Sequence, residues 1–382
     1  MQSRNSLAGL ATHLILILIG FVTVSVKAQS KEELENKKNS ESDSLFASSL
    51  RDCLNPLESR KPETWLRRTR VLSSIMDDPN LMARHSQADL PSETANALLM
   101  LKALDANQTY RHFTEPGLAG ICVDLGNSGI QALENARLYD SEADAERSSR
   151  LLEKSMECYK LTGDARNVVD KEWAKHSLDL DWFRFFSGVA FRKSGDKIRA
   201  SQIYASLLEQ EWPQHVLYLE ASNLADSIGL IPESIEILEK GIRKLPGNID
   251  LGCALAQQYV RADNMQQAVL WLKKIGKNPQ AAFHPEYAFA QAACFEKQGD
   301  MRKADFFCRI PYLADSNEVS VIRRYAAFLV RSAGAEEAGK LPATIKTAYR
   351  ILQHAHRLAP ENSAIVREVD LLIRRFPELE KL

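Results

Sequence analysis

From Leu45 to the end of the chain, apolar side chains return every three or four residues with charged residues between them. That spacing predicts amphipathic helices, and strand-like alternation rich in β-branched residues is almost absent. Leu45 to Leu54 carries one short apolar face. Pro62-Glu63-Thr64-Trp65 predicts a helix start, because proline is tolerated in the first turn. Pro91-Ser92-Glu93-Thr94 predicts another, running through Leu98, Leu99, Leu101 and Leu104. Pro116, Gly117 and Gly120 fall within residues 115–125 and predict a loop that enters a helix over 127–138. Residues 144–162 read as a long amphipathic helix stopped by Gly163. Residues 29–44 are almost wholly polar and lack aromatics, so they read as a solvated tether.

Beyond residue 178 the pattern repeats. Gly195, Gly229 and Asp263 are spaced 34 residues apart, and Gly299 follows after 36. Five residues beyond each stands a small side chain: Ala200, Ser234, Ala268 and Ala304. Four residues before each stands a core candidate: Phe191, Ala225, Tyr259 and Phe295. Pro213, Pro246, Pro279 and Pro311 close the units. Each position has a physical reason. The Gly or Asp sits in a turn between antiparallel helices, where left-handed backbone is needed. The small residue lets the two helices approach, and helix is disfavoured just before proline. A single hairpin cannot bury its apolar face, so neighbours must stack.

The unit resembles the tetratricopeptide repeat. Residues 181–214 carry the fullest match, with Gly188, Phe191, Gly195, Ala200, Tyr204 and Pro213. In 215–248, Ala225, Gly229, Leu238 and Pro246 match, with Ser222 and Ser234 in place of the usual Gly and Ala. In 249–282, Ala256, Tyr259, Ala268 and Leu272 match; in 285–318, Ala292, Phe295, Gly299 and Ala304 match, with Cys308 at the aromatic position. A degenerate fifth unit has Ala348, Leu352, Ala355 and Pro360 in its second helix, after a loop stretched over Gly334–Pro342, and 361–376 reads as a closing helix. The resemblance covers roughly 178–376. It implies an all-α fold, an α-solenoid of antiparallel helix hairpins, preceded by a less regular helical region at 45–165. Diverged repeats of the same kind are an open alternative for 45–165, in which no register emerges.

The resemblance also implies a concave groove lined by the first helices of successive units. Carried over by repeat position, the lining is Trp182, Phe185, Val189, Arg192 and Lys193 in the first unit. Leu219, Asn223 and Asp226 follow in the second, and Cys253, Gln257 and Arg261 in the third. Phe289, Glu296 and Lys297 follow in the fourth. Aromatic and Arg side chains anchor interfaces, so Trp182 and Phe185 beside Arg192 and Lys193 form the leading cluster. Core packing of the two rings with solvated charges is the competing reading. The clamp by which some family members hold a C-terminal carboxylate uses Lys and Asn where this chain has Phe185 and Val189.

Residues 1–28 change the expected compartment. Arg4 precedes an apolar stretch from Leu14 to Val26, and Val26-Lys27-Ala28 offers small-enough side chains for cleavage. This is the pattern of a secretory signal peptide, which predicts an exported protein, periplasmic or secreted. An uncleaved N-terminal anchor is the alternative, but Lys27, Lys31, Lys37 and Lys38 follow the apolar stretch, against the usual positive-inside preference. Membrane contact is expected only with that segment uncleaved.

The 382 residues carry a formal net charge of −1, which becomes −3 when Arg4 and Lys27 leave with the leader. That balance offers no electrostatic case for nucleic acid. Cys53, Cys122, Cys158, Cys253, Cys294 and Cys308 lack CxxC or zinc-ligand spacing. They read as small buried hydrophobes, with Cys294–Cys308 on facing helices of one hairpin as the candidate disulfide. His354 and His356 are two apart and point to different helix faces, so they make no metal pair. Asn107-Gln108-Thr109 is a glycosylation sequon. No HExxH, P-loop or GxSxG occurs, and no cofactor is expected. The function these features imply is a non-catalytic scaffold or adaptor docking a protein or peptide. The alternatives are a membrane-tethered envelope component and a helical enzyme subunit with a pocket beside 45–165.

Overall fold

The computed structural model describes residues 31–333 and 342–381, and every regular element among them is helical. The expected leader at 1–28 and the loop segment 334–341 lie outside the described residues. Among the described residues, no helix is long and apolar enough to cross a membrane. The chain divides between Leu104 and Asp105 into two compact units. That division falls inside the region 45–165, read above as one piece.

The first unit contains α1 (Lys31–Leu54), α2 (Pro62–Met76), α3 (Pro79–Arg84) and α4 (Leu90–Leu104). The expected tether at 29–44 is helical from Lys31 onward. Lys38 pairs with Asp78, and Asp43 with Arg84, so this polar helix is held by side-chain contacts to the start and end of α3. Pro62 opens α2 and Pro79 opens α3, the latter capped by Asp78. Leu72, Ile75, Leu81, Leu90 and Ala97 form the core. Arg68 is 3 % exposed. It donates to the Phe46 carbonyl at 3.0 Å and to Ser49 Oγ at 3.1 Å, and it pairs with Glu93. Three helices thus share one guanidinium, whose fixed donors suit such a junction.

The second unit opens with a long hairpin, α5 (Arg111–Tyr139) and α6 (Glu142–Lys160), turned by Asp140 in left-handed backbone. The short α7 (Arg166–Ala174) follows. The expected loop at 115–125 is instead part of α5. Pro116 removes one helical hydrogen bond there. The loss is outweighed by burial of Leu118, Ala119, Cys122 and Leu125, each at most 2 % exposed.

Then come the paired helices α8 (Leu180–Lys193) and α9 (Lys197–Glu209), α10 (His215–Ser227) and α11 (Ile231–Lys244), α12 (Ile249–Arg261) and α13 (Met265–Ile275), α14 (Pro285–Lys297) and α15 (Met301–Ala314), and α16 (Val319–Ser332) and α17 (Ala343–Leu358), closed by α18 (Ser363–Arg375). They have the tetratricopeptide pattern. Gly195, Gly229, Asp263 and Gly299 all take positive φ, between 60° and 88°. Asp196, Asn264 and Asp300, one residue on, cap the second helices. Ala200, Ser234, Ala268 and Ala304 are fully buried between the paired helices. A Cβ on Gly188 would lie 2.6 Å from Tyr204 Cε1, so the close approach is real. One expectation changes: Pro311 lies inside α15, which continues to Ala314. Its missing N–H costs a single bond in the last turns, where tertiary contact through buried Pro311 holds the helix.

Successive cores interlock along the array. One gathers Phe185, Val189, Tyr204, Trp212 and Leu217 around Leu133 of α5. Another joins Cys253, Ala256, Leu272, Ala290 and Cys294, and a third joins Cys308, Ile322, Tyr325, Phe328, Leu352 and Ile365. The array turns far enough that the start of α18 meets the end of α5.

Candidate interaction surface

The first helices α8, α10, α12, α14 and α16 carry the expected groove residues. Phe185, Val189, Cys253 and Phe289 do not line a surface: each is at most 6 % exposed and belongs to the interlocking cores. Trp182 is half-buried, with its ring 4.8 Å from that of Trp212 at 83° and 5.9 Å from that of Phe185. Its partner in packing, Trp212, comes from the loop after α9, beyond the reach of a first-helix pattern. Phe185 is therefore core, and Trp182 packs half-buried against it.

The charged candidates are mostly paired from one hairpin to the next. Arg192 meets Glu220 at 2.7 Å, Asp226 pairs with Arg261, Lys297 meets Asp263 at 3.0 Å, and Glu296 meets Arg331 at 2.8 Å. Such half-exposed pairs contribute ~0–1 kcal/mol each, so they set register more than stability. Burial pushes the Lys193 ammonium below its usual range, with Arg192 and Arg137 adding repulsion and Asp140 and Glu220 opposing it. Asn223 is exposed, and Leu219 and Gln257 are half-buried. These three complete the inner face.

All six cysteines are free and buried. Cys294 and Cys308 do not face one another. Cys294 packs with Cys253 toward the preceding hairpin, while Cys308 packs toward α16 and α17. Opposite faces of one hairpin serve different neighbours, which removes the expected bridge. Burial raises their thiols to about 11 and about 12 respectively. Among the described residues, no cluster of His, Cys, Asp and Glu is placed to hold a metal ion.

A cleft among the described residues lies elsewhere, where α11 hands over to α12 beside α13. Its volume is about 600 Å³. Ile242, Ile249, Ile275 and Trp271 give it an apolar lining, and Arg243, Lys274 and Glu239 stand with them. The turn Pro246-Gly247-Asn248 forms one wall, with Gly247 at φ 87°. A Cβ on Gly252 would meet Ile275 at 2.9 Å, so glycine there keeps α12 and α13 close. Tyr259 donates to Glu239 Oε1 at 2.8 Å, and burial together with that carboxylate pushes its phenol to about 12. Lys274 Nζ stands 4.3 Å from the centre of the Trp271 ring. Sequence reasoning missed this cleft because most of its residues sit on second helices and a loop, with only Ile249 and Gly252 from the first helix α12. The available signal was Trp271-Leu272-Lys273-Lys274, an aromatic beside two lysines.

No protein-family model and no curated protein matches the sequence. Among solved structures, human IFIT1, a dimer with m7Gppp-AAAA, is 14 % identical and has a TM-score of 0.43 over 89 % of this chain and 71 % of its own. A tetratricopeptide repeat protein from Parabacteroides merdae is 14 % identical, with a TM-score of 0.33 over 75 % of this chain and 98 % of its own. YrrB, a TPR protein with an unusual peptide-binding site, is 16 % identical, with a TM-score of 0.29 over 52 % of this chain and 95 % of its own.

Proposed function

We propose that the chain is a protein–protein interaction scaffold, exported by its N-terminal segment, that holds a segment of a partner protein on the hairpin array of residues 180–375. The observation that carries this reading is the array itself. Five stacked hairpins spend their apolar faces on one another, yet leave an extended, mixed surface of exposed and half-buried side chains. Stacked repeats are suited to holding an elongated partner across several units. The perturbed thiols are raised by burial, which favours inert packing over nucleophilic chemistry.

The test is in-cell photo-cross-linking of the full-length chain, with the reactive group placed in turn at Asn223, Gln257 and Pro246. Mass spectrometry then identifies captured proteins and the mature N-terminus. Enrichment of one protein, cross-linked to the array, and a new N-terminus near residue 29 are expected. An array that captures no protein would overturn the scaffold reading, and an intact Met1 in the exported fraction would overturn cleavage.

A further inference from the structure

We infer that the cleft between α11, α12 and α13 is a docking site for an acidic peptide segment of a protein partner, one bearing a bulky apolar side chain. The inference deepens the scaffold reading and rests on it. Three observations select this occupant. The floor is apolar and includes an aromatic ring that the fold leaves only half-covered: Trp271 touches the cores on both sides of α12 and still faces the cleft. The volume, about 600 Å³, has room for a side chain such as Phe or Leu with its flanking backbone. The rim is cationic. Arg243 has a side chain 67 % exposed and reaches Glu239 only at 3.9 Å, and the exposed Lys274 is engaged by the Trp271 face alone.

The one carboxylate at the rim, on Glu239, is already taken by Tyr259. An incoming carboxylate meets two cations against one carboxylate, whose Oε1 accepts from Tyr259 and whose Oε2 lies 3.9 Å from Arg243. Charge-assisted bonds of this kind are the strong ones, and Arg243 can bind a carboxylate in bidentate fashion. Asn248 and Asn278 line the wall, each with Oδ1 committed to capping its own turn, at 2.9 Å from the Leu251 amide and 3.0 Å from the Gln280 amide. Their Nδ2 groups are left as donors for peptide carbonyls. The cleft is half-open to solvent, which leaves room for a chain lying across it. Two rim cations are too few for a nucleic acid backbone, whose binding uses many phosphate contacts.

The probe is a fluorescein-labelled synthetic peptide, Asp-Asp-Phe-Asp-Leu-Asp-Asp, titrated against the full chain by anisotropy. One control replaces Phe and Leu by Ser, and another replaces every Asp by Lys. The protein variant is R243E/K274E, whose fold is checked by circular dichroism; both side chains are exposed, so the helices should persist. Saturable binding of the acidic apolar peptide, weakened about tenfold or more by the variant and by loss of Phe and Leu, is expected. Binding equal to that of the Ser control, or undiminished in R243E/K274E, overturns the inference. A variant that binds the Lys peptide in place of the Asp peptide supports it. The same variant is carried through the in-cell cross-linking. A partner still captured by R243E/K274E moves the interface off the cleft and leaves the scaffold reading standing. A wild-type array that captures nothing overturns the scaffold reading itself.

Discussion

Asn362 donates from Nδ2 to the carbonyl of Leu138 at 2.7 Å, across 224 residues of chain. Its Oδ1 at the same time caps α18, accepting from Ala364 at 3.1 Å and Ile365 at 3.2 Å. Next to it, Ser363 Oγ donates to the Asp140 carbonyl at 2.8 Å and Arg367 pairs with the Asp140 carboxylate at 2.5 Å. One buried amide thus both starts the last helix and closes the array onto its first hairpin. Replacing Asn362 by Ala should lose the cap and leave the Leu138 carbonyl unmet, costing about 1–3 kcal/mol. Asn362→Asp keeps the cap but sets a carboxylate oxygen against the Leu138 carbonyl at a site 4 % exposed, and should cost at least as much as alanine. Urea unfolding measures both, and an alanine variant as stable as wild type would dissolve the closure.

Ser222 and Ser234 share a buried hydrogen bond, Oγ to Oγ at 2.7 Å, where the repeat pattern expects Gly and Ala. Either single alanine substitution strands the other hydroxyl and should cost about 1 kcal/mol. The double S222A/S234A should sit close to wild type, because both polar groups are then gone. A double-mutant cycle reads the coupling directly; additive losses would contradict a shared bond.

Gly188 and Gly195 separate two uses of glycine. Gly188→Ala puts a methyl against Tyr204 and should destabilise by about 1–3 kcal/mol through overpacking. Gly195 has open space around its Cβ position but φ at 88°, so Gly195→Ala costs about 1 kcal/mol through backbone alone. Tyr204→Phe should leave the Gly188→Ala penalty unchanged, since the clash is with Cε1. Thermal melts of the four variants decide this.

Arg68 ties α1, α2 and α4 from a site only 3 % exposed. Arg68→Ala removes the donor shared by the Phe46 carbonyl and Ser49 Oγ, which keep only their own bond at 3.0 Å, breaks the pair with Glu93 and removes a cation 4.4 Å from the Phe46 ring centre. About 2 kcal/mol should be lost. Proteolysis of the full chain should then cut preferentially within residues 31–104. Cleavage confined to the second unit would contradict the assignment.

The buried thiols set a sign for alkaline stability. Cys122 is raised to about 11, and Cys158, Cys253 and Cys308 to about 12, all chiefly by burial. The unfolded chain releases these protons at lower pH than the folded one. Their stabilising contribution is therefore complete below about pH 8.5 and is lost as pH rises through 11–12. Stability should decline progressively above pH 9, and Cys253→Ala should make that decline shallower. At pH 8, iodoacetamide should label the cysteines only after denaturant is added. Rapid labelling of the native chain would contradict their burial.

The turns were legible because they are local. Left-handed backbone at Gly195, Gly229, Asp263 and Gly299 follows from residue type and spacing, as does the small residue five positions later. Breakers do not end helices where packing decides. Pro116 and Pro311 both lie inside helices, since the cost of one lost backbone bond is smaller than the gain from burying the faces around them. Register placed Phe185, Val189 and Phe289 on first helices correctly, but register does not say how deep a face lies once the next hairpin covers it.

The sequence by itself determined the helical class, the hairpin unit of 34 residues and the residues that turn it. Those depend on backbone preference and on periodicity within a few turns of chain. Tertiary structure alone decided that Phe185 is core with Trp182 half-buried against it, that Cys294 and Cys308 serve different neighbours, and that the cleft lies beside Trp271. It also decided that Asn362 reaches Leu138. Each of these depends on how far one hairpin rotates against the next, an angle set by the summed packing of many side chains.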